Sequence, residues 1–304
     1  MDPLRPGLNL RRDLLADGLT DAEVRVLRRR GVLSAVRPGA YLHGPEPDDA
    51  AVRHLLEIRA ALPALGPDTV ISHTSAAVVH GLPLWAVRLD RVHATRNRGS
   101  GARRSGVVQL HAAVLLPDEV AVVGGLPVTS VARTIADLGR MLPFEAALVP
   151  ADGALFRRLV TPDALAAAVE RGAHRPRNGD ARRVVAFADG RAESPGETRS
   201  RVAIRRAGLP APALQYSTSG FRCDFGWEEH GTVAEFRQEV VEHGRIKYGR
   251  CLRPGQDPGD AVFEEKVRED ALRDRGLQVV RWIWAELGSF DAPAGRLRRA
   301  FARP

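Results

Sequence analysis

Asp224 and Glu235, on neighbouring strand-like segments, and Lys247, twelve residues beyond Glu235, are the residues whose types and spacing point to chemistry. Two carboxylates at one end of a sheet hold a Mg2+ ion. A nearby ammonium steadies the attacking water or the charge that develops on a phosphate. That chemistry is metal-assisted cleavage of a phosphodiester. Glu197 offers a further carboxylate from the first turn of a preceding helix. Its alternative is structural, because Ser194-x-x-Glu197 has the spacing of a capping box. For Asp224 the alternative is a solvent-facing polar residue on a half-exposed strand.

A second candidate site is basic. Thr20 caps a helix over residues 21–30 with acids in its first turn and arginines in its last. Val24 and Leu27 share one side of it, whereas Arg25, Arg28 and Arg29 fall at i, i+3 and i+4 on another. A short helix over Leu8 to Ala16, stopped by Asp17-Gly18, precedes it. A hairpin over Val32 to Leu42 follows, with Arg37 beside the Pro38-Gly39 tip. Helix, glycine-containing turn, basic helix and wing form the outline of a winged helix-turn-helix, in which these four arginines meet DNA. A solvated basic terminus that completes the helix macrodipole is the competing reading.

Two features of the middle stretch carry less. His73 and His80 stand at i and i+7 on a helix over Ser72 to Val79. A metal would need a third ligand, which nothing nearby in the sequence supplies, so capping or packing histidines are expected. The Arg/Gly-rich segment 96–104 joins strands over Leu89 to Ala94 and Val107 to His111, either as a phosphate-contacting loop or as a hairpin tip.

These residues need elements to position them, and 304 residues suffice for two or three domains. The chain is 44% hydrophobic and 27% charged, the balance of a globular protein. No apolar run reaches membrane-spanning length and no apolar stretch follows the Met-Asp-Pro start, so a cytoplasmic protein is expected. Cys223 and Cys251 sit in no metal-ligand spacing. The net charge of +8 favours a polyanionic partner. Of the 45 basic residues only Lys247 and Lys266 are lysines, an arginine bias that reads as coding pressure and leaves the net excess as the better evidence.

Three stretches separate: residues 1–46, basic and short-helical; residues 48–188, mixed α/β; and residues 190–304. In the second, Ser130 caps a helix carrying Val131, Ile135 and Leu138, and Thr161-Pro162 opens another. In the third, the order is helix, three strands, helix, strand, helix, an α/β sheet with helices packed on it. Phe221, Cys223, Phe225 and Trp227 alternate as one face of a strand.

Several runs in the last stretch then carry a family resemblance. Glu193-Ser194-Pro195-Gly196-Glu197-Thr198-Arg199-Ser200-Arg201, Cys223-Asp224-Phe225-Gly226-Trp227, Glu265-Lys266-Val267-Arg268-Glu269-Asp270-Ala271-Leu272 and Val279-Val280-Arg281-Trp282 resemble actinobacterial proteins with a C-terminal domain similar to the very-short-patch-repair (Vsr) endonucleases. These are a branch of the PD-(D/E)XK, restriction-endonuclease-like fold. Val36-Arg37-Pro38-Gly39-Ala40-Tyr41, Ser72-His73-Thr74-Ser75-Ala76-Ala77, His80-Gly81-Leu82 and Gly125-Leu126-Pro127-Val128-Thr129-Ser130-Val131-Ala132-Arg133-Thr134 resemble the AbiEi antitoxins of type IV toxin–antitoxin systems.

The resemblance implies a winged helix on operator DNA, a middle domain used for antitoxicity against a nucleotidyltransferase-type toxin, and a nuclease-like C-terminal domain. It implies that Asp224 matches the family's strand aspartate, Glu235 its next-strand glutamate and Glu197 its helix glutamate, with Mg2+ as the ion of an active site. The chain departs from the family after Glu235. Relatives follow that glutamate with one residue and then Asp-Gly, whereas this chain runs Glu235-Phe236-Arg237-Gln238-Glu239-Val240-Val241-Glu242-His243-Gly244. Arg237 adds positive charge where the metal would sit, and Glu242 and His243 are the residues that would replace the missing acid. The expected function is that of a DNA-binding, antitoxin-like transcriptional regulator whose endonuclease-like domain is degenerate. The alternative is an active Mg2+-dependent endonuclease targeted by its winged helix.

Overall fold

The computed structural model describes residues 7–99, 101–104, 106–218, 220–237, 239–242, 245–248 and 267–303. The chain divides into two units, Met1–Leu142 with Val160–Val185, and Pro143–Leu159 with Ala186–Pro304. Both mix helices with sheets, which is the α/β class read from the sequence. Among the described residues no helix is long and apolar enough to cross a membrane.

The first unit begins with β1 (Leu8–Leu10), α1 (Arg11–Ala16), α2 (Asp21–Arg29), β2 (Leu33–Arg37) and β3 (Ala40–His43), its strands ordered β1-β3-β2. Leu8 to Leu10 is a strand where the sequence suggests the start of α1. Leu8 pairs with Leu42 and Leu10 with Ala40, so these backbone groups are satisfied by the wing. Leu14, Val24, Leu33 and Tyr41 close a small core beneath α2. At the wing tip Gly39 has φ +80°, a conformation that strains any side chain.

The same unit continues with α3 (Ala50–Ala61), β4 (Thr69–Ile71), α4 (His73–Val79), β5 (Val92–Asn97), β6 (Arg103–Arg104), β7 (Val108–Ala113), β8 (Val120–Val123), β9 (Leu126–Thr129) and α5 (Val131–Met141). The six strands are ordered β6-β7-β5-β4-β9-β8 over a core that includes Ile58, Ile71, Val92, Leu110 and Val128. β5 and β7 run parallel, so the Arg/Gly-rich segment between them is a crossover through β6 and not a hairpin tip. The helices α7 (Pro162–Arg171) and α8 (Asn178–Phe187) add Ala168, Val169 and Ala181 against Ala136 of α5. The intervening helix α6 (Phe144–Phe156) belongs to the other unit, although sequence reading groups it with residues 48–188.

In the second unit follow α9 (Pro195–Arg206), β10 (Ala213–Thr218), β11 (Phe221–Trp227), β12 (Thr232–Arg237), the hairpin β13 (Glu239–Glu242) and β14 (Arg245–Tyr248), a helix over residues 267–273 (α10), β15 (Gln278–Ile283) and α11 (Asp291–Phe301). The main sheet is ordered β10-β11-β12-β15, with the β12–β15 pair parallel and the others antiparallel. Phe225, Trp227, Ala234, Val280 and Trp282 pack with Ile204 of α9 and Leu297 of α11. On the opposite face Cys223 and Val233 pack with Leu272 of α10.

The expected single face of β11 is therefore split. Val233 and Ala234 are adjacent on β12 and point to opposite faces, so their partners Cys223 and Phe225 do too. Gln215, opposite the point of change, adopts φ +52°, and the ladder skips the Gln215–Asp224 pair. The backbone turns over at Asp224.

Candidate functional site

The outer face of α2 is built by its caps. Thr20 Oγ1 accepts from the Glu23 N–H at 3.3 Å while the Thr20 N–H donates to Glu23 Oε2 at 2.7 Å, which closes a capping box. Arg11 of α1 donates to Asp21 at 2.8 Å and ties the two helices together. With Val24 buried, Arg25, Arg28 and Arg29 are all exposed and make no ion pair among the described residues. Arg28 lies 5.7 Å from the Tyr41 ring centroid, a cation–π contact linking the helix to the wing. Arg37 is half-buried, and its Nη1 is buried without a hydrogen-bond partner. Three of the four arginines expected to meet DNA are presented to solvent, and the wing arginine less so.

The carboxylates are arranged differently. Glu235 is 5% exposed on β12, and both its oxygens are held by guanidiniums: Oε1 by Arg268 of α10 and Oε2 by Arg281 of β15 at 3.3 Å. Glu235 and Arg281 are in register on the parallel pair, so the contact is set by the ladder. Arg281 also pairs with Glu269. Asp224, at the turnover of β11, accepts the Phe236 N–H at 2.9 Å and so caps the strand that carries Glu235. Glu197 is buried at the start of α9, where Ser194 Oγ donates to Oε1 at 2.8 Å and the Glu193 N–H and Gln215 Nε2 donate to Oε2 at 3.0 and 2.8 Å. Burial pushes its carboxyl up, against the pull of those donors. Ser194 caps α9 by accepting the Glu197 N–H at 3.2 Å, but the reciprocal bond to the carboxylate comes from the Glu193 N–H, so the capping box read from the sequence is only half formed.

Asp224, Glu235 and Glu197 do not converge: among the described residues the only three-ligand group with atoms within 4.8 Å of one another is His73, His93 and His111. Glu242 and Lys247 lie on β13 and β14, a two-stranded sheet separate from the one that carries Asp224 and Glu235. Arg237 ends β12 half-buried. His243, Cys251, Glu265 and Lys266 lie outside the described residues.

Packing behind α9 explains how it is held. Gly196 in its first turn lies against Phe236, whose ring a Cβ there would strike. Asp152, fully buried on α6, accepts from Thr198 Oγ1 at 2.9 Å, Arg201 Nη1 at 2.7 Å and the Asp189 N–H at 2.8 Å. Burial pushes its carboxyl from 3.8 up to about 6 despite the Arg201 charge. The folded state thus binds the proton more tightly than the unfolded chain. The stability this confers is fully present below about pH 4 and is lost as the pH rises through about 6. Relative to Asp152→Asn, which cannot titrate, the wild type should lose up to ~3 kcal/mol between pH 4 and 7 in urea unfolding. A difference that stays constant across this range would show that Asp152 does not titrate there.

The histidines are the residues the sequence does not assemble. His80 bonds the Thr129 carbonyl at 2.7 Å and is a packing residue, as expected. His73 does find further imidazoles, from strands 20 and 38 residues away in sequence. His93 of β5 and His111 of β7 lie with Nδ1 and Nε2 3.0 Å apart, and His73 stacks on His111 at 3.8 Å between centroids. Both strands start with the β-branched, alternating residues that any buried strand has, so nothing local marks these two histidines as a pair.

No protein-family model matches the chain. Over 119 residues it is 34% identical to the uncharacterized proteins MT2308 and Rv2248 of Mycobacterium tuberculosis, strains CDC 1551 / Oshkosh and ATCC 25618 / H37Rv. The match covers 38% of this chain and 44% of each relative, so the chain spans less than half the length of the curated relatives it matches. Among solved structures it is similar to the RV2827C protein from Mycobacterium tuberculosis, with a TM-score of 0.42 and 15% identity over 69% of this chain and 79% of that one.

Proposed function

We propose that the chain is a DNA-binding regulator of the antitoxin type whose C-terminal nuclease-like unit does not cut DNA. The observation that carries the DNA-binding half is the exposed row Arg25, Arg28 and Arg29 on α2, which makes no salt bridge among the described residues and lies beside the three-stranded β1-β3-β2 sheet. Arginines so placed neutralise phosphates and fix the helix on a duplex. Operator DNA is the first partner in this reading, and a nucleotidyltransferase-type toxin the second.

The state of Glu235 supports the silent-nuclease half. A metal ion at Asp224 and Glu235 would have to displace both Arg268 and Arg281 from a buried carboxylate, and those two cations would then face it. An ion so opposed is not held firmly enough to polarise a phosphate or to lower the pKa of its water. Plasmid and mismatched duplex DNA should therefore survive incubation with the protein in Mg2+ or Mn2+. Robust cleavage lost in both Asp224→Ala and Glu235→Ala would make the domain a working endonuclease.

Binding to the chain's own upstream DNA tests the regulator reading. The triple change Arg25, Arg28, Arg29→Ala should weaken it at least about tenfold at fixed salt. Point changes are the right tool, because β2 packs on α3 and removing residues 1–46 would take away that contact and the small Leu14, Val24, Leu33 and Tyr41 core together with the charges. On the antitoxin side, co-expression with a nucleotidyltransferase-type toxin from an adjacent reading frame should restore growth. Failure of that rescue with the full chain would remove the toxin from the reading while leaving DNA binding in place.

A further inference from the structure

We infer that His73, His93 and His111 form a binding site for a divalent transition-metal ion of the Zn2+ class. The three side chains come from different elements. His73 opens α4, while His93 and His111 are diagonal neighbours on the parallel strands β5 and β7, where His111 is in register with Thr95. One ring nitrogen from each lies within 4.8 Å of the other two. A tetrahedral ion with ligand bonds of about 2.05 Å needs its donors about 3.3 Å apart. His93 Nδ1 and His111 Nε2, hydrogen-bonded at 3.0 Å, are close to that spacing, and an ion would take the place of the proton between them. His73, stacked on His111 at 3.8 Å between centroids, offers the third nitrogen within 4.8 Å of the other two.

The donor set selects the ion. Imidazoles favour Zn2+, Co2+, Ni2+ or Cu2+ over Mg2+ and Ca2+, which take oxygen ligands. With three protein ligands and no fourth among the described residues, one coordination position is left to water. This ion is distinct from the Mg2+ of a nuclease centre and sits in the other unit.

The surroundings hold the rings as the shell around a metal site does. Ser72 Oγ lies 2.9 Å from His73 Nδ1 and accepts from Thr95 Oγ1 at 2.8 Å, which occupies one nitrogen of His73 and leaves Nε2 for an ion. The His93 backbone N–H donates to Ser75 Oγ at 2.8 Å, which fixes the main chain there, and that hydroxyl is 2.8 Å from His54 Nε2. His73 itself has φ +52°, strained for a residue with a Cβ and maintained here by the packing around it. The buried Asp137 carboxylate, itself paired with Arg133 and Arg140, acts on both His73 and His111, and Arg133 acts on His73 in the opposite sense.

Titration of the full-length protein with Co2+, and displacement of Co2+ by Zn2+, tests the site. The wild type should develop visible d–d absorption that saturates near one ion per chain. His93→Gln and His111→Gln should each weaken binding by on the order of a hundredfold. His80→Gln, outside the cluster, should leave it unchanged. Zn2+ should also raise the thermal midpoint of the wild type and of His80→Gln, and not that of His93→Gln, a readout that holds even where a variant is less stable than the wild type. No visible band at saturating Co2+, or a band that survives both cluster substitutions, would overturn the proposal. A sulfur-to-cobalt charge-transfer band would place the ion on cysteine and overturn it equally.

Discussion

Replacing Arg133 by methionine should destabilise the protein by about 3–5 kcal/mol, because two buried carboxylates lose their shared cation. Arg133 is 2% exposed; its Nε donates to Asp137 Oδ2 and its Nη1 to Glu119 Oε2, both at 2.9 Å. Arg140 extends the network to the other oxygen of Asp137 and, at 3.1 Å, to Asn178 Oδ1. Burial pushes the Asp137 carboxyl up, but the guanidiniums of Arg133 and Arg140 beside it help to hold it below its ordinary range, so it stays ionised. Without Arg133, Asp137 is left to Arg140 and Glu119 to the Leu116 N–H at 3.1 Å, too little for two buried charges. Methionine fills the volume, so the loss read in urea is electrostatic and not a cavity effect. Adding Glu119→Gln and Asp137→Asn to Arg133→Met should recover part of it, since no uncompensated charge then remains buried. A cost below about 1 kcal/mol for Arg133→Met would mean the carboxylates are hydrated or protonated in the fold. The contacts of Arg133 lock α5 to the turn before β8.

How much of this was legible in the sequence follows the range of each interaction. Thr20 with Glu23 declares itself because a capping box is closed within four residues, and Ser194 with Glu197 because an N-cap bond spans only three. The partners of Glu235 do not, since Arg268 and Arg281 stand 33 and 46 residues away and only the parallel β12–β15 pairing delivers Arg281. Arg237 is the cation the sequence offers as a competitor for Glu235, being two residues along; those seen on its oxygens come from another helix and another strand. The break in β11 is hidden for a related reason. Its residues alternate, and the change of face depends on the left-handed Gln215 of the neighbouring strand. The histidine cluster is the extreme case, assembled from three elements by a parallel crossover that the Arg/Gly-rich segment disguises as a hairpin.

Alanine at Arg25, Arg28 and Arg29 should also change how binding responds to salt, and that response separates phosphate contact from any loss of fold. Each neutralised phosphate releases counterions, so log K falls with log salt at a slope of about −0.9 per contact. Three exposed arginines that each meet one phosphate should therefore add about 2.7 to the magnitude of that slope. Thr20 and Glu23 keep the capping box in the variant, and Val24 and Leu27 keep the core contacts of α2, so the helix is retained while its charge is removed. The exposed positions carry little stability, about 0.5 kcal/mol or less each. The measurement is equilibrium binding of the wild type and the triple variant to the chain's own upstream duplex between about 50 and 200 mM salt. The account predicts a variant that binds at least about tenfold more weakly, with a slope shallower by about 2.7. Equal affinity and an unchanged slope would contradict it and take the DNA contact away from α2.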